Sequence, residues 1–222
     1  MTDVNFRVEP GQVAGLVGPN GGGKSTLLKA IAGVLPLRSG GVFLAGAEFR
    51  AASGQLAFVP QREEVNWDFP VTAADVVLMA RARSAGWLRR PGRADRVIAD
   101  AALERFGLGG LGDRHISQFS GGQQQRIFFA RALAQQPFVI LLDEVFTGVD
   151  TTNRAIFREA IREFADAGAI VLLATHDFDE LRAVCDTVAF INRGLVAYGP
   201  VETAFTAENL RTAFGGQVAV IA

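Results

Sequence analysis

The stretch Phe119-Ser-Gly-Gly-Gln-Gln-Gln-Arg126 decides the fold because of what lies on either side of it. It opens a helical pattern over Gly121 to Ala134 that Pro137 stops. Upstream, the apolar run Val13-Ala-Gly-Leu-Val17 ends at Gly18-Pro-Asn-Gly-Gly-Gly-Lys-Ser25, the pattern of a phosphate-binding loop. Downstream, Phe138-Val-Ile-Leu-Leu-Asp-Glu144 reads as a buried strand ending in two carboxylates. A phosphate loop alone implies only a bound nucleotide. The Ser-Gly-Gly-Gln segment lies between that loop and the acidic strand.

Composition sets the outer limits. With 222 residues the chain is long enough for one large domain, and 49% apolar content fills a globular core. The longest apolar runs, Phe138 to Leu142 and Ala167 to Ala174, are far shorter than the roughly 20 residues needed to cross a bilayer. No signal-peptide pattern opens the sequence, so a cytosolic chain is expected, with any membrane role borrowed from a partner. A net charge of −1 gives no electrostatic case for nucleic-acid binding. The lone Cys185 with only His115 and His176 excludes an internal disulfide and a Cys/His metal cluster. Of 22 basic residues only Lys24 and Lys29 are lysines, so a chain that otherwise uses arginine keeps a compact ammonium at the phosphate loop.

Strand patterns at Val13 to Val17, Val42 to Leu44, Leu56 to Val59, Val139 to Leu142, Ile170 to Ala174 and Val188 to Ile191 alternate with helical ones. The helices fall at Ser25 to Ala32, Thr72 to Ser84, Asp95 to Phe106, Gly121 to Ala134 and Thr152 to Ala167. That alternation predicts an α/β fold with a mainly parallel sheet covered on both faces. Arg62 to Gln118 contains no convincing strand and reads as a helical insertion.

Each motif has a chemical reason. The glycines of residues 18–23 let backbone N–H groups turn inward around a phosphate, and the following helix adds its positive end. Lys24 can reach the β- and γ-phosphates, and the Ser25 hydroxyl can ligate Mg²⁺. Gly18, Pro19, Asn20, Gly21, Gly22, Gly23, Lys24, Ser25 and Thr26 are therefore the candidate ATP-binding loop. Asp143 and Glu144 should emerge at the carboxyl edge of the sheet, where α/β proteins bind ligands. Successive strand residues face opposite ways, which predicts separate roles: Asp143 for Mg²⁺, Glu144 as general base on the attacking water. Ser120, Gly121, Gly122 and Gln123 offer a second helix start suited to an anion. The arginines at positions 81, 83, 89, 90, 93 and 96 read either as a solvated helical face or as a face near lipid headgroups or a membrane subunit.

These motifs, in this order and over nearly the whole chain, resemble the ATP-binding cassette (ABC) family. The resemblance implies a P-loop NTPase with a small antiparallel β-subdomain. It also implies one nucleotide-binding domain over 1–222, with 1–61 and 119–222 as the catalytic lobe and 62–118 as a helical signature lobe. It adds Gln61, which contacts Mg²⁺ and the attacking water, and His176, the switch histidine at the γ-phosphate. In the family the signature serves the ATP of the other subunit, so a homodimer is implied, with Asp150 of Thr147-Gly-Val-Asp150 on the loop crossing the interface.

Within the family, three stretches look like the cassettes of manganese, zinc and iron importers. They are Val59 to Pro70, Phe146 to Asp150 with the following Thr-Thr, and the tail from Gly199 to Gly216. This implies a cassette at the cytoplasmic face of the cell membrane that couples ATP hydrolysis to metal uptake. Its partners would be integral membrane permease subunits and, indirectly, an extracytoplasmic metal-binding protein, with no nucleic acid. Trp67-Asp-Phe-Pro70 sits where family cassettes receive the permease's coupling helix, or is a packed aromatic turn.

The chain departs from the family pattern twice. Val145 stands where a proline usually follows the acidic pair, which leaves both carboxylates intact. Thr2-Asp-Val-Asn-Phe6 matches the strand just before the phosphate loop, so the family's first strand, bearing the aromatic that stacks on adenine, has no counterpart. The expectation is a shortened start or another residue supplying the stack. The competing function is a soluble ABC ATPase driving nucleic-acid or ribosome work; such proteins usually carry two cassettes or a coiled-coil insertion, and neither is seen. A non-hydrolysing regulator would be expected to lose Glu144 or His176.

Overall fold

The structure, a computed structural model, describes residues 1–49, 54–82 and 91–215. Its centre is a six-stranded sheet in the order β4-β5-β6-β1-β7-β8. The strands are β1 (Val13–Val17), β4 (Leu56–Val59), β5 (Val139–Asp143), β6 (Ile170–Ala174), β7 (Thr187–Ile191) and β8 (Leu195–Pro200). Only β8 runs antiparallel, on β7. β1, β5 and β7 are buried at every position, as expected of parallel strands covered on both faces. A separate antiparallel pair, β2 (Phe43–Leu44) and β3 (Ala47–Glu48), forms the small second sheet.

Register brings the functional ends together. Leu16 and Asp143 both pair with Ala174, and Val17 pairs with Phe190. The loops after β1, β5 and β6 thus leave one edge side by side, the carboxyl edge where α/β sheets bind ligands.

The helices are α1 (Lys24–Ile31), α2 (Ala73–Ala82), α3 (Arg93–Arg105), α4 (Gly121–Gln135), α5 (Thr151–Asp166), α6 (Phe178–Val184), α7 (Val201–Ala204) and α8 (Ala207–Phe214). α2, α3 and α4 pack against one another, and α4 also packs on β4. The main core runs from this helical group to the sheet through Phe129 of α4, stacked on Phe157 of α5 at 4.4 Å between ring centres. A second core cluster lies around α1, with Leu28 fully buried among Leu16, Leu141 and Ile191.

Several elements differ from the sequence reading. α6, β8, α7, α8 and the two-residue β3 were not predicted; α6, β8, α7 and β3 are too short or too mixed in polarity to show a period. Thr2 to Phe6, matched by resemblance to a strand, is irregular, and Phe6 packs on the ring of Tyr198 at 5.3 Å. Val145 is buried in the main core, so its apolar side chain takes a packing role where the family places proline. Residues 83–84 of the expected second helix and Gly216 of the tail lie outside the described residues.

Candidate nucleotide site

β1 delivers the chain to the phosphate loop, and glycine is required there for two different reasons. At Gly18 a Cβ would stand 1.8 Å from the carbonyl oxygen of Ile191, so the loop presses directly on β7. Gly21 (φ 75°) and Gly23 (φ 108°) occupy the left-handed region, which turns the backbone into a cradle before α1 begins. Pro19 accepts the Gly22 N–H at 2.9 Å and closes the loop. Asn20 and Thr26 are exposed on its rim.

Lys24 is buried, and its ammonium donates to the Gly18 and Pro19 carbonyls at 2.9 and 3.2 Å. Burial lowers its pKa, while the carboxylates of Glu144 and Asp143 act in the opposite sense. The Lys24 side chain is therefore held inside a loop that would wrap a phosphate.

The Ser25 hydroxyl donates to Asp143 Oδ1 at 3.0 Å. Asp143 is fully buried, and among the described residues its Oδ2 has no hydrogen-bond partner. Burial raises its pKa against the pull of the Ser25 hydrogen bond, with Glu144 adding to the rise. An orphaned buried carboxylate oxygen beside a hydroxyl at a helix start suits a hard divalent cation with oxygen ligands. Mg²⁺ fits these residues.

Glu144 lies just beyond β5 in the left-handed region, at φ 49°. Its separation from Asp143 comes from this turn, which corrects the expectation of strand alternation. The turn is held by the Glu144 N–H donating to the Ala174 carbonyl at 3.0 Å. His176, after β6, places Nδ1 3.7 Å from Glu144 Oε2, with the imidazole largely exposed. Gln61 follows β4 beside β5, where Val59 pairs with Leu142, and starts a 3₁₀ turn over Arg62–Glu64. Gln61, Asp143, Glu144 and His176 thus leave the same edge as the phosphate loop. Together they can hold a phosphate chain, order a divalent cation and take a proton from water.

The signature forms a separate cluster. Ser120 caps α4, accepting the Gln123 N–H at 3.4 Å while its own N–H donates to Gln123 Oε1 at 2.9 Å. A Cβ at Gly121 would meet Arg62 Nε at 2.9 Å, and one at Gly122 would meet Asn153 Nδ2 at 2.9 Å. Asp150 caps α5 and accepts the Asn153 N–H at 2.9 Å. Asn153 also accepts from Arg126 of α4, so the signature helix and the Asp150 loop are joined. Among the described residues, no hydrogen bond links Ser120–Gln123 to the phosphate loop.

Other expectations come out unevenly. Of the basic run, Arg83, Arg89 and Arg90 lie outside the described residues. Arg81 is bound to Asp95 and to the Ala134 carbonyl, both at 3.1 Å, and is no free surface cation. His115 bonds Ser117 at 2.9 Å, at the start of the turn that precedes the signature. Trp67 packs on Phe128 of α4 at 5.3 Å, whereas Phe69 is 55% exposed. The sequence reading missed Arg62, Arg154 and Asp177. Asp177-Phe-Asp-Glu180 carries a detectable signal, an acid three residues before a glutamate at a helix start.

Residues 1–147 match the ABC transporter family. The chain is 46% identical over 211 residues to a manganese transport system ATP-binding protein of Synechocystis, covering 94% of this chain and 81% of that one. It is 43% identical over 216 residues to a zinc transport system ATP-binding protein of Treponema pallidum, covering 97% and 81%. A chelated iron transport system membrane protein of Yersinia pestis is 44% identical over 216 residues, covering 96% and 73%. Among solved structures, a metal-chelate type ABC transporter in an inward-facing conformation superposes with a TM-score of 0.83 at 28% identity, over 96% of this chain and 82% of that one. No helix among the described residues is long and apolar enough to cross a membrane. Likeness of this degree along nearly the full length, on a shared fold, makes this chain a member of the ABC transporter family and an ATP-hydrolysing cassette.

Proposed function

We propose that this cassette drives uptake of a divalent transition metal, manganese, zinc or iron, through a separate permease on whose cytoplasmic face it sits. The observation that carries the reading is 43–46% identity to the ATP-binding proteins of manganese and zinc transport systems across nearly the whole chain. The exposed ring of Phe69 supports a docking segment at Trp67–Pro70. Val34 and Met79 are exposed as well, beside a groove of 910 Å³ after α1. A permease helix would cover these apolar groups.

In this reading the backbone N–H groups of the phosphate loop and Lys24 hold the β- and γ-phosphates of ATP. Mg²⁺, held by Ser25, Asp143 and Gln61, would neutralise charge on the phosphate oxygens. Glu144 accepts the proton of the attacking water, and His176, whose Nδ1 lies 3.7 Å from Glu144 Oε2, steadies the γ-phosphate. Gln61 orients the water and links 1–61 and 119–222, the catalytic lobe, to the helical lobe at 62–118. Ser120, Gly121, Gly122 and Gln123, with Asp150, act on the nucleotide of a second copy. The separation of this cluster from the phosphate loop supports a homodimer with two shared sites.

The test is ATP-dependent uptake of Mn²⁺, Zn²⁺ and Fe²⁺ by vesicles holding the permease assembled with this chain. Uptake of one of these ions that Glu144→Gln abolishes is the expected result. A complex that hydrolyses ATP yet moves none of the three would overturn the metal assignment.

A further inference from the structure

One side chain touches both loops on which the shared site depends. Arg154 lies in the first turn of α5, and its guanidinium folds back over the loop that precedes it. Nε donates to the Val149 carbonyl at 3.1 Å and Nη2 to the Phe146 carbonyl at 3.5 Å. Phe146 immediately precedes Thr147-Gly-Val-Asp150, and Val149 lies within it. The same guanidinium reaches the other way, with Nη1 donating to Asp177 Oδ2 at 2.6 Å and to Glu180 Oε1 at 3.0 Å.

Asp177 is the residue after His176, and it is fixed on each side. It caps α6 by accepting the N–H groups of Asp179 and Glu180, both at 3.1 Å. Its own N–H donates to Thr175 Oγ1 at 3.0 Å, and the Thr175 N–H donates to Leu16 of β1 at 3.2 Å. His176 therefore stands between a residue anchored to β1 and a residue anchored by Arg154.

A staple between α5 and α6 would not need this arrangement. Glu180, fully buried, is already paired by Arg158, whose Nε and Nη2 donate at 2.6 and 2.7 Å. A buried carboxylate needs such a partner, and Arg158 supplies it. Among the described residues Arg158 makes no hydrogen bond to the 147–150 loop, whereas two Arg154 donors are spent on the carbonyls of Val149 within it and Phe146 just before it. The planar fork of arginine can serve both sides at once; the point charge of lysine cannot.

We propose that Arg154 is a positioning residue that ties the loop crossing to the second copy to the switch histidine of its own site. A shift of 147–150 against the partner's nucleotide would then move Asp177 and with it His176, so each site senses the other. The proposal rests on the roles proposed above for Asp150 and His176.

The experiment compares ATP hydrolysis and thermal midpoint for the purified chain and four variants: Arg154→Met, Arg154→Lys, Arg158→Met and His176→Ala. Arg154→Met should lower kcat about tenfold and bring the Hill coefficient down toward about 1, the scale of a typical coupling free energy. Its KM for ATP should stay within about twofold, because no phosphate contact is removed. Arg154→Lys should recover the thermal midpoint through the Asp177 ion pair but not kcat. Arg158→Met should lose at least as much thermal stability as Arg154→Met while keeping kcat. If Arg154→Met keeps kcat and cooperativity while His176→Ala loses hydrolysis, the tie is wrong and the site reading stands. Activity losses that merely follow the thermal midpoints of the two arginine variants also overturn the tie. Full hydrolysis by His176→Ala overturns the site reading and the tie together.

Discussion

The Ser25 hydroxyl and Asp143 Oδ1 meet at 3.0 Å, joining the first turn of α1 to the last residue of β5 across 118 positions of sequence. Among the described residues Asp143 Oδ2 is buried without a hydrogen-bond partner, and Ser25 with Asp143 would hold a divalent cation. Ser25→Ala should therefore raise the Mg²⁺ concentration needed for half-maximal ATP hydrolysis by about tenfold or more, the scale of losing an ordering contact at a metal site. A Mg²⁺ titration matching that of the unaltered chain would remove Ser25 from the cation site.

Glu144→Gln replaces a proton acceptor with an amide of the same shape. Turnover should fall by about 10²–10⁴-fold, the usual contribution of a general base, while ATP binding persists. The arrested chain should accumulate as an ATP-dependent dimer on size exclusion. Turnover close to that of the unaltered chain would assign the proton transfer elsewhere.

The two kinds of glycine in the phosphate loop should respond differently to alanine. Gly21→Ala meets open space and pays only for a left-handed backbone, about 1–2 kcal/mol. Gly18→Ala drives a methyl to 1.8 Å from the Ile191 carbonyl, which cannot yield without moving β7. Thermal denaturation should show Gly18→Ala as the more damaging change. Equal midpoints would contradict the close packing of loop against strand.

Asp177 supplies a pH-dependent part of the stability. Burial pushes its pKa up, but the Arg154 guanidinium and the α6 N–H groups outweigh that, and the carboxyl titrates below its ordinary value. A depressed folded value means stability that is complete above the unfolded aspartate pKa of about 3.9 and is lost as pH falls through the folded one. Asp177→Asn keeps a capping side chain and loses the charge. The gap in thermal midpoint between it and the unaltered chain should be steady near neutrality and shrink below about pH 4. A gap independent of pH would rule out the ion pair as its source.

The sheet and its catalytic edge were legible because fully buried parallel strands are unbroken apolar runs. Val13–Val17 and Val139–Asp143 could hardly be read otherwise, and the glycines and Lys24 follow the first of them directly. α6 and β8 were not legible. Seven residues after His-Asp make barely two turns, and β8 shows intermediate burial at nearly every position, with no alternation to detect. The left-handed Glu144 was hidden for another reason: nothing local demands φ 49° there, and the hydrogen bond to Ala174 that holds it is a tertiary contact. The same holds for Arg154, whose partners lie 23 and 26 positions away on α6 and at its cap.

The central claim is that each active site is shared by two copies of this chain, and subunit mixing tests it most directly. Lys24→Ala disables the phosphate loop and Ser120→Arg disables the signature, so either homodimer should lack a competent site. Equimolar mixing should restore hydrolysis, because each mixed dimer unites an intact phosphate loop with an intact signature. No activity above that of the separate variants, with mixed dimers confirmed by differential tagging, would contradict the shared site.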